Sequence, residues 1–160
     1  VIKKESLLKE IVRSLAESVE ALGKAARASH AEATHESSKA ENKYDTRGLE
    51  AAYLAGGQAR QVKEILEAIA IYQGLKLRNF ELTDPAELTA LVELKADKTR
   101  SLYFLGPKSG GLEVVLGGHE IMVITPHSPL GQQIMGKRAG DRWTAKLGGT
   151  LCKYEVTSVA

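Results

Sequence analysis

A change of period constrains this chain more than any other feature. From Leu8 the apolar and small residues run Leu8, Val12, Leu15, Val19, Leu22, Ala26, Ser29 and Ala33, in alternating steps of four and three. Beyond Thr83-Asp84-Pro85 the apolar residues instead recur at every second position. Steps of three and four mark a helical seam, and alternation marks strands with one face covered. The chain therefore builds a helical part followed by a sheet.

The first helix is predicted from about residue 3 to about 38. No proline interrupts it, only Gly23 lowers helix propensity, and Leu7, Ile11 and Ala25 widen the stripe. The second runs from Glu41 or Asp45 to about Leu75, with a seam of Ala52, Ala55, Ala59, Val62, Leu66, Ile69 and Gln73 flanked by Leu49, Tyr53, Ile65 and Tyr72. Each helix must bury its stripe, so the two are predicted to pack as an antiparallel coiled-coil hairpin with its tip near 36–46. Seam residues are large far from the bend and small near it, which lets the axes approach toward the tip. Gly56-Gly57 inside the second helix costs roughly 1 kcal/mol per glycine relative to alanine.

The alternating segments are Leu91–Leu94, Leu102–Leu105, Leu112–Leu116, Ile121–Ile124, Trp143–Leu147 and Leu151–Val159. Lys108-Ser109-Gly110-Gly111, Gly117-Gly118 and Gly148-Gly149 separate them as turns. Ser128-Pro129 supplies an N-cap and a first-turn proline for one short helix, with Leu130, Ile134 and Met135 on its buried face. The expected fold class is α+β: a helical hairpin over 1–76, then an antiparallel sheet domain with one helix over 77–160.

Composition excludes several function classes. Residues 1–73 hold eleven basic and eleven acidic side chains, and the remainder eleven and nine, so no segment carries the dense basic run of a strong nucleic-acid binder. Aromatic residues make up only 5%, too few for a base-stacking surface. The single cysteine, Cys152, permits neither an internal disulfide nor a thiolate zinc site and is read as a small hydrophobe in a reducing, cytoplasmic setting. No apolar run approaches the ~18 residues of a membrane span, and Val1-Ile2-Lys3-Lys4-Glu5 does not lead into a signal-peptide core.

Most chemistry-bearing residues read as structural. His30, Glu32, His35 and Glu36 lack the spacing of a helical metal site and read as a solvated face. Ser128 beside His127 has no third group to orient a base, so it reads as an N-cap. Trp143 reads as core and His119 as exposed. The polar tip HESSKAENKYDTR, residues 35–47, admits two readings. It is a solvated loop, or it delivers a carboxylate into another protein's active site, where a hard oxygen donor can ligate Mg²⁺.

Two stretches carry a family resemblance. Ile124-Thr125-Pro126-His127-Ser128-Pro129-Leu130-Gly131-Gln132-Gln133-Ile134-Met135-Gly136-Lys137-Arg138-Ala139-Gly140-Asp141 resembles the C-terminal signature of bacterial GreA/GreB transcription elongation factors. The closing Lys153-Tyr154-Glu155-Val156 is similar to that family's last strand, Leu105–Gly111 to one of its turns, and Glu41-Asn42 to the acidic-Asn pair at its coiled-coil tip.

The resemblance implies an FKBP-like C-terminal domain that docks on bacterial RNA polymerase at the rim of the secondary channel through His127, Ser128 and Pro129. It implies a coiled coil that enters the channel and carries tip carboxylates acting in trans: Glu41 as the Mg²⁺-facing acid, with Glu36 and Asp45 as candidates for its partner. Such a protein is not itself an enzyme. It binds no cofactor alone, shares Mg²⁺ with the polymerase active site, and stimulates cleavage of backtracked RNA. It would meet the nascent RNA 3′ end and DNA only indirectly, contact no membrane and act as a monomer. Ser38 stands where the family tip carries Asp, and His127 where related proteins favour an acid. A Gre-like regulator that occupies the channel without stimulating cleavage is the alternative. Prolyl isomerase activity, raised by the FKBP-like fold, would need an aromatic pocket built from Phe80, Tyr103, Phe104, Trp143 and Tyr154.

Overall fold

A computed structural model describes residues 1–34 and 47–160, with backbone alone at residues 26, 27, 29–34 and 47–56. Two long helices, α1 (Lys4–Thr34) and α2 (Arg47–Gln73), precede six strands. These are β1 (Leu91–Ala96), β2 (Thr99–Leu105), β3 (Glu113–Leu116), β4 (His119–Ile124), β5 (Arg142–Leu147) and β6 (Thr150–Val159), with α3 (Pro129–Ile134) between β4 and β5. Every strand expected from alternation is present.

The chain divides into two compact units. One comprises Val1–Ile11 and Ile71–Ala160, the other Val12–Ala70.

The first unit is built on a sheet of order β3-β4-β2-β1-β6-β5. Three two-residue turns close its hairpins. Gly117-Gly118 (φ 59° and 80°) and Gly148-Gly149 (φ 67° and 89°) supply the paired positive φ that matches strand twist. Asp97, at φ 53°, does the same at its position in the β1–β2 turn, which the turn reading of the sequence did not include. The sheet is mixed rather than wholly antiparallel: β4 lies beside β2 in parallel, pairing Leu102 with Ile121 and Leu105 with Ile124. After β2 the chain passes to the sheet edge to form β3 and turns back as β4 between β3 and β2, so β4 runs in the direction of β2, and no local pattern encodes this.

Alternation gives the sheet two faces. On one, Val92, Leu94, Leu105, Ile124, Tyr154, Val156 and Val159 pack with Ala86, Ala90 and Ile134 of α3 into a buried core. On the other, Leu91, Phe104, Val123, Ile121 and Val114 are buried. Tyr72, at the end of α2, reaches this second face, where a Cβ on Gly106 would lie 2.2 Å from its hydroxyl and 3.0 Å from Val123 Cγ1. Glycine at 106 is what admits the ring. The Tyr72 hydroxyl donates to Lys108 O at 2.5 Å, and burial pushes its pKa up to about 12.

The segment between α2 and β1 is tied to the start of α1. Lys4 Nζ donates to Arg78 O at 2.5 Å and Thr89 O at 3.2 Å. It also sits 4.6 Å from the centre of the Phe80 ring, with Arg78 at 4.7 Å from the same ring. Burial lowers the Lys4 pKa, offset in part by Glu5. Buried Thr89 adopts φ 73°, and its hydroxyl accepts from Arg78 N at 3.1 Å. Two backbone bonds, Ala86 N to Lys137 O at 2.7 Å and Gly136 N to Ala86 O at 2.8 Å, fasten the segment to the end of α3.

In the helical unit, Ser18, Ala21 and Leu22 of α1 and Gln61, Glu64 and Ile65 of α2 line one open groove of about 550 Å³, so the helices run side by side there. Their apolar stripes are phased differently from the sequence expectation. On α1, Leu7, Ile11 and Leu15 are buried while Leu8, Val12 and Val19 are only half-buried. On α2, Ala68 and Tyr72 are buried, Ile65 is half-buried, and Leu66 is 51% exposed. Ala59 and Gln73, also assigned to the seam, are exposed. The cause is local: Leu7-Leu8, Ile11-Val12 and Ile65-Leu66 are apolar doublets, and either member satisfies a heptad count while pointing ~100° from the other. Gly57 has open space around it, so close packing does not explain this glycine.

Candidate functional site

The corner singled out by the sequence lies where β4 ends and α3 begins. Ser128 takes an extended conformation (φ −67°, ψ 156°), its Oγ accepting from Gly131 N at 3.0 Å and donating to Thr125 O at 2.8 Å. Pro129 occupies the first helical turn, where its missing N–H leaves no bond unmade. Gly131 completes the turn, because a Cβ there would lie 1.9 Å from Thr125 O. Gln132 Nε2 donates to His127 O at 3.2 Å. His127 and Pro129 are exposed on this fixed turn, and Ser128 is half-buried beneath them. The three expected docking residues are thus adjacent and rigidly held. Ser128 has both hydrogen-bonding roles engaged in capping, which removes a nucleophilic role.

The residues after α3 have structural work. Asp141 Oδ2 accepts from Arg138 N at 2.8 Å, closing the turn from Lys137 to Gly140. Arg138 donates to Thr83 O. Lys137 Nζ lies 5.2 Å from the centre of the Trp143 ring, which stacks on Tyr154 with centroids 5.5 Å apart. Trp143 Nε1 is buried without a hydrogen-bond partner. Burial raises the Tyr154 pKa, with Cys152 beside it adding to the shift. Gly131, Gly106 and the Asp141 turn were not singled out as individual roles in the sequence; the Gly-Lys-Arg-Ala-Gly-Asp run was the available signal.

The aromatics named for an isomerase pocket do not all share one face: Tyr103, Trp143 and Tyr154 lie on one side of the sheet and Phe104 on the other. Phe104 is fully buried and Tyr154 nearly so, and Trp143 packs against the core. Phe80, Tyr103 and Trp143 are half-buried against that core. α3 is only six residues long and leaves part of its sheet face open, so that Tyr103, Met122, Ala145, Leu147 and Cys152 remain only partly buried.

The other expected site residues, Glu36, Glu41 and Asp45, lie outside the described residues, as do Ser38, Lys39 and Lys43. Among the described residues, no three of His, Cys, Asp and Glu gather as a metal site. No helix among them is long and apolar enough to cross a membrane.

Residues 90–160, from the last residue before β1 to the end of the chain, match the family described as "Transcription elongation factor, GreA/GreB, C-term". They are a GreA/GreB C-terminal domain. This GreA/GreB domain contains all six strands, α3 and the Ser128 corner, and two long helices precede it in the chain. No curated protein matches the chain. Among solved structures, GreA factor homolog 1 (Gfh1) of Thermus thermophilus is 21% identical, over 96% of this chain and 94% of that one, with a TM-score of 0.37. Gfh1 of Thermus aquaticus is 22% identical over 94% and 92%, with a TM-score of 0.38. A GreA/GreB elongation factor of Nitrosomonas europaea is 16% identical over 60% and 78%, with a TM-score of 0.37. The domain match, rather than these global likenesses, identifies the C-terminal unit.

Proposed function

We propose that this chain is an RNA polymerase-binding transcription elongation factor whose paired helices enter the secondary channel of the bacterial enzyme. The observation that carries this reading is the GreA/GreB domain at 90–160 joined to two long helices. The domain docks through the His127-Ser128-Pro129 corner, where capping fixes two exposed side chains beside a partly open apolar sheet face. The factor modulates the polymerase's own chemistry. At the tip, Glu41 offers a hard carboxylate suited to Mg²⁺ held in the polymerase active site, with Glu36 or Asp45 as its partner. Through these carboxylates it stimulates cleavage of backtracked RNA.

A specific sequence feature favours a second reading, in which the factor occupies the channel without stimulating cleavage. Ser38 replaces the tip Asp of the family, and Lys39 and Lys43 flank Glu41. Nearby cations disfavour a bound Mg²⁺ by like-charge repulsion.

RNA cleavage in a purified, backtracked elongation complex separates the two. Cleavage stimulated by the wild-type chain and lost in Glu41→Ala supports metal donation from the tip. Polymerase binding without stimulation supports the channel-occupying regulator. Absence of polymerase binding overturns both.

A further inference from the structure

Basic residues spread evenly along the sequence are gathered by the sheet onto one face. Lys95 stands opposite Arg100 on β2 and Glu155 on β6. Arg142 stands opposite Glu155, Thr144 opposite Lys153, and Lys146 opposite Leu151. Directly opposed residues share a face, and successive residues alternate faces. These side chains therefore project from the face opposite Trp143, Ala145, Leu147, Cys152 and Tyr154, the same face that buries Leu91 and Phe104 further along the strands.

Both carboxylates on this face are already engaged. Glu93 accepts from Arg100 at 3.2 Å and from Thr157, and Glu155 pairs with Arg142 at 3.2 Å. Lys95, Lys146 and Lys153 have no ion-pair partner among the described residues. At the rim, Asp97 spends one carboxylate oxygen on the Lys153 backbone N–H at 3.1 Å. Leu151, beside Lys146, is 67% exposed.

Protection of a bare sheet edge accounts for part of this pattern, since lysine on an edge strand deters strand addition. It covers Lys146 on the edge strand β5. It does not cover Lys153 on β6 or Lys95 on β1, which lie one and two strands further in.

We propose that the outer face of β1, β6 and β5 is a second contact surface, electrostatically complementary to an acidic protein surface on the polymerase. The choice of polymerase rests on the function proposed above. Protein rather than nucleic acid follows from the face itself. The aromatics Trp143 and Tyr154 are on the opposite side and cannot stack on bases. Glu93 and Glu155 interrupt the cations where a phosphate track would run, and Leu151 provides an apolar contact within the charged field. Complementary charge of this kind acts mainly on the rate of encounter.

The test is the association rate of the full chain with purified core polymerase across a range of salt concentrations. It compares wild type with Lys95→Gln/Lys146→Gln/Lys153→Gln, whose melting curve checks the fold. The variant should associate about tenfold more slowly at low salt and show a flatter salt dependence, the two converging when screening is strong. Equal rates and equal salt dependence overturn the proposal while leaving polymerase binding intact. No wild-type binding to polymerase overturns both this surface and the reading it rests on. Salt-sensitive binding of wild type to a DNA duplex, lost in the variant, assigns the face to nucleic acid and overturns the protein partner.

Discussion

The two units of this chain are held together in different ways. The sheet unit buries apolar side chains on both faces of its strands, and it contains nearly all the fully buried residues among those described. The helical unit, Val12–Ala70, contributes only Leu15 and Ala68 to that set. The first is a body with its own core. Among its described residues, the second shows a narrow stripe of mostly partly covered side chains. A segment with few buried apolar contacts opens locally at low free energy. On the function proposed above, that property suits a part that passes into a confined channel and would be a liability in a docking body.

The most severe test of the difference is Phe104→Ala. Phe104 is fully buried on the sheet face that Tyr72 reaches, and truncating a core phenylalanine costs about 3–5 kcal/mol. Urea denaturation should show a loss of that size for the sheet unit. A loss below about 1 kcal/mol would mean that the second face is not a core, and the contrast between the units would fail.

Tyr72 gives an intermediate effect with a pH signature. Its folded pKa is raised to about 12 by burial, whereas an exposed tyrosine ionises near 10. Between these values the unfolded chain binds fewer protons than the folded one, so stability falls as pH rises. The fall attributable to Tyr72 should reach at most roughly 3 kcal/mol across that window. Below it, the contribution is fully present. In Tyr72→Phe this component of the pH dependence should vanish, and the variant should lose about 1–2 kcal/mol at neutral pH because Lys108 O is left without its donor. An unchanged alkaline profile in the phenylalanine variant would show that the ring is solvated.

Much of the sheet unit was legible in the sequence because its signals are local. Alternation located all six strands, the Gly-Gly pairs located two hairpins, and Ser128-Pro129 located α3 and its cap. What was not legible depends on distant chain segments meeting. The parallel pairing of β2 and β4, the Gly106–Tyr72 approach and the gathering of Lys95, Lys146 and Lys153 all arise only when strands align. Of the candidate site, the Ser128 corner was visible as a capping pattern. The tip carboxylates Glu36, Glu41 and Asp45 rest on the tip sequence and on the family resemblance alone.

The smallest expected effect tests the helix phase directly. A heptad count treats Ile65 and Leu66 as nearly equivalent, since an adjacent apolar pair lets the stripe pass through either. The structure separates them. Ile65 is half-buried in the groove shared with Ser18, Ala21 and Leu22, whereas Leu66 is 51% exposed. Ile65→Ala should therefore cost about 1–2 kcal/mol, less than a fully buried residue would. Leu66→Ala should change stability by no more than about 0.5 kcal/mol, because alanine's higher helix propensity offsets the little area lost. Thermal melts followed by far-UV circular dichroism measure both. If Leu66→Ala proves the costlier of the two, the helices pair along the line that the heptad count predicts and the phase described above is rotated. If both are negligible, the helical unit draws almost nothing from its stripe, and the contrast with the sheet unit becomes sharper still.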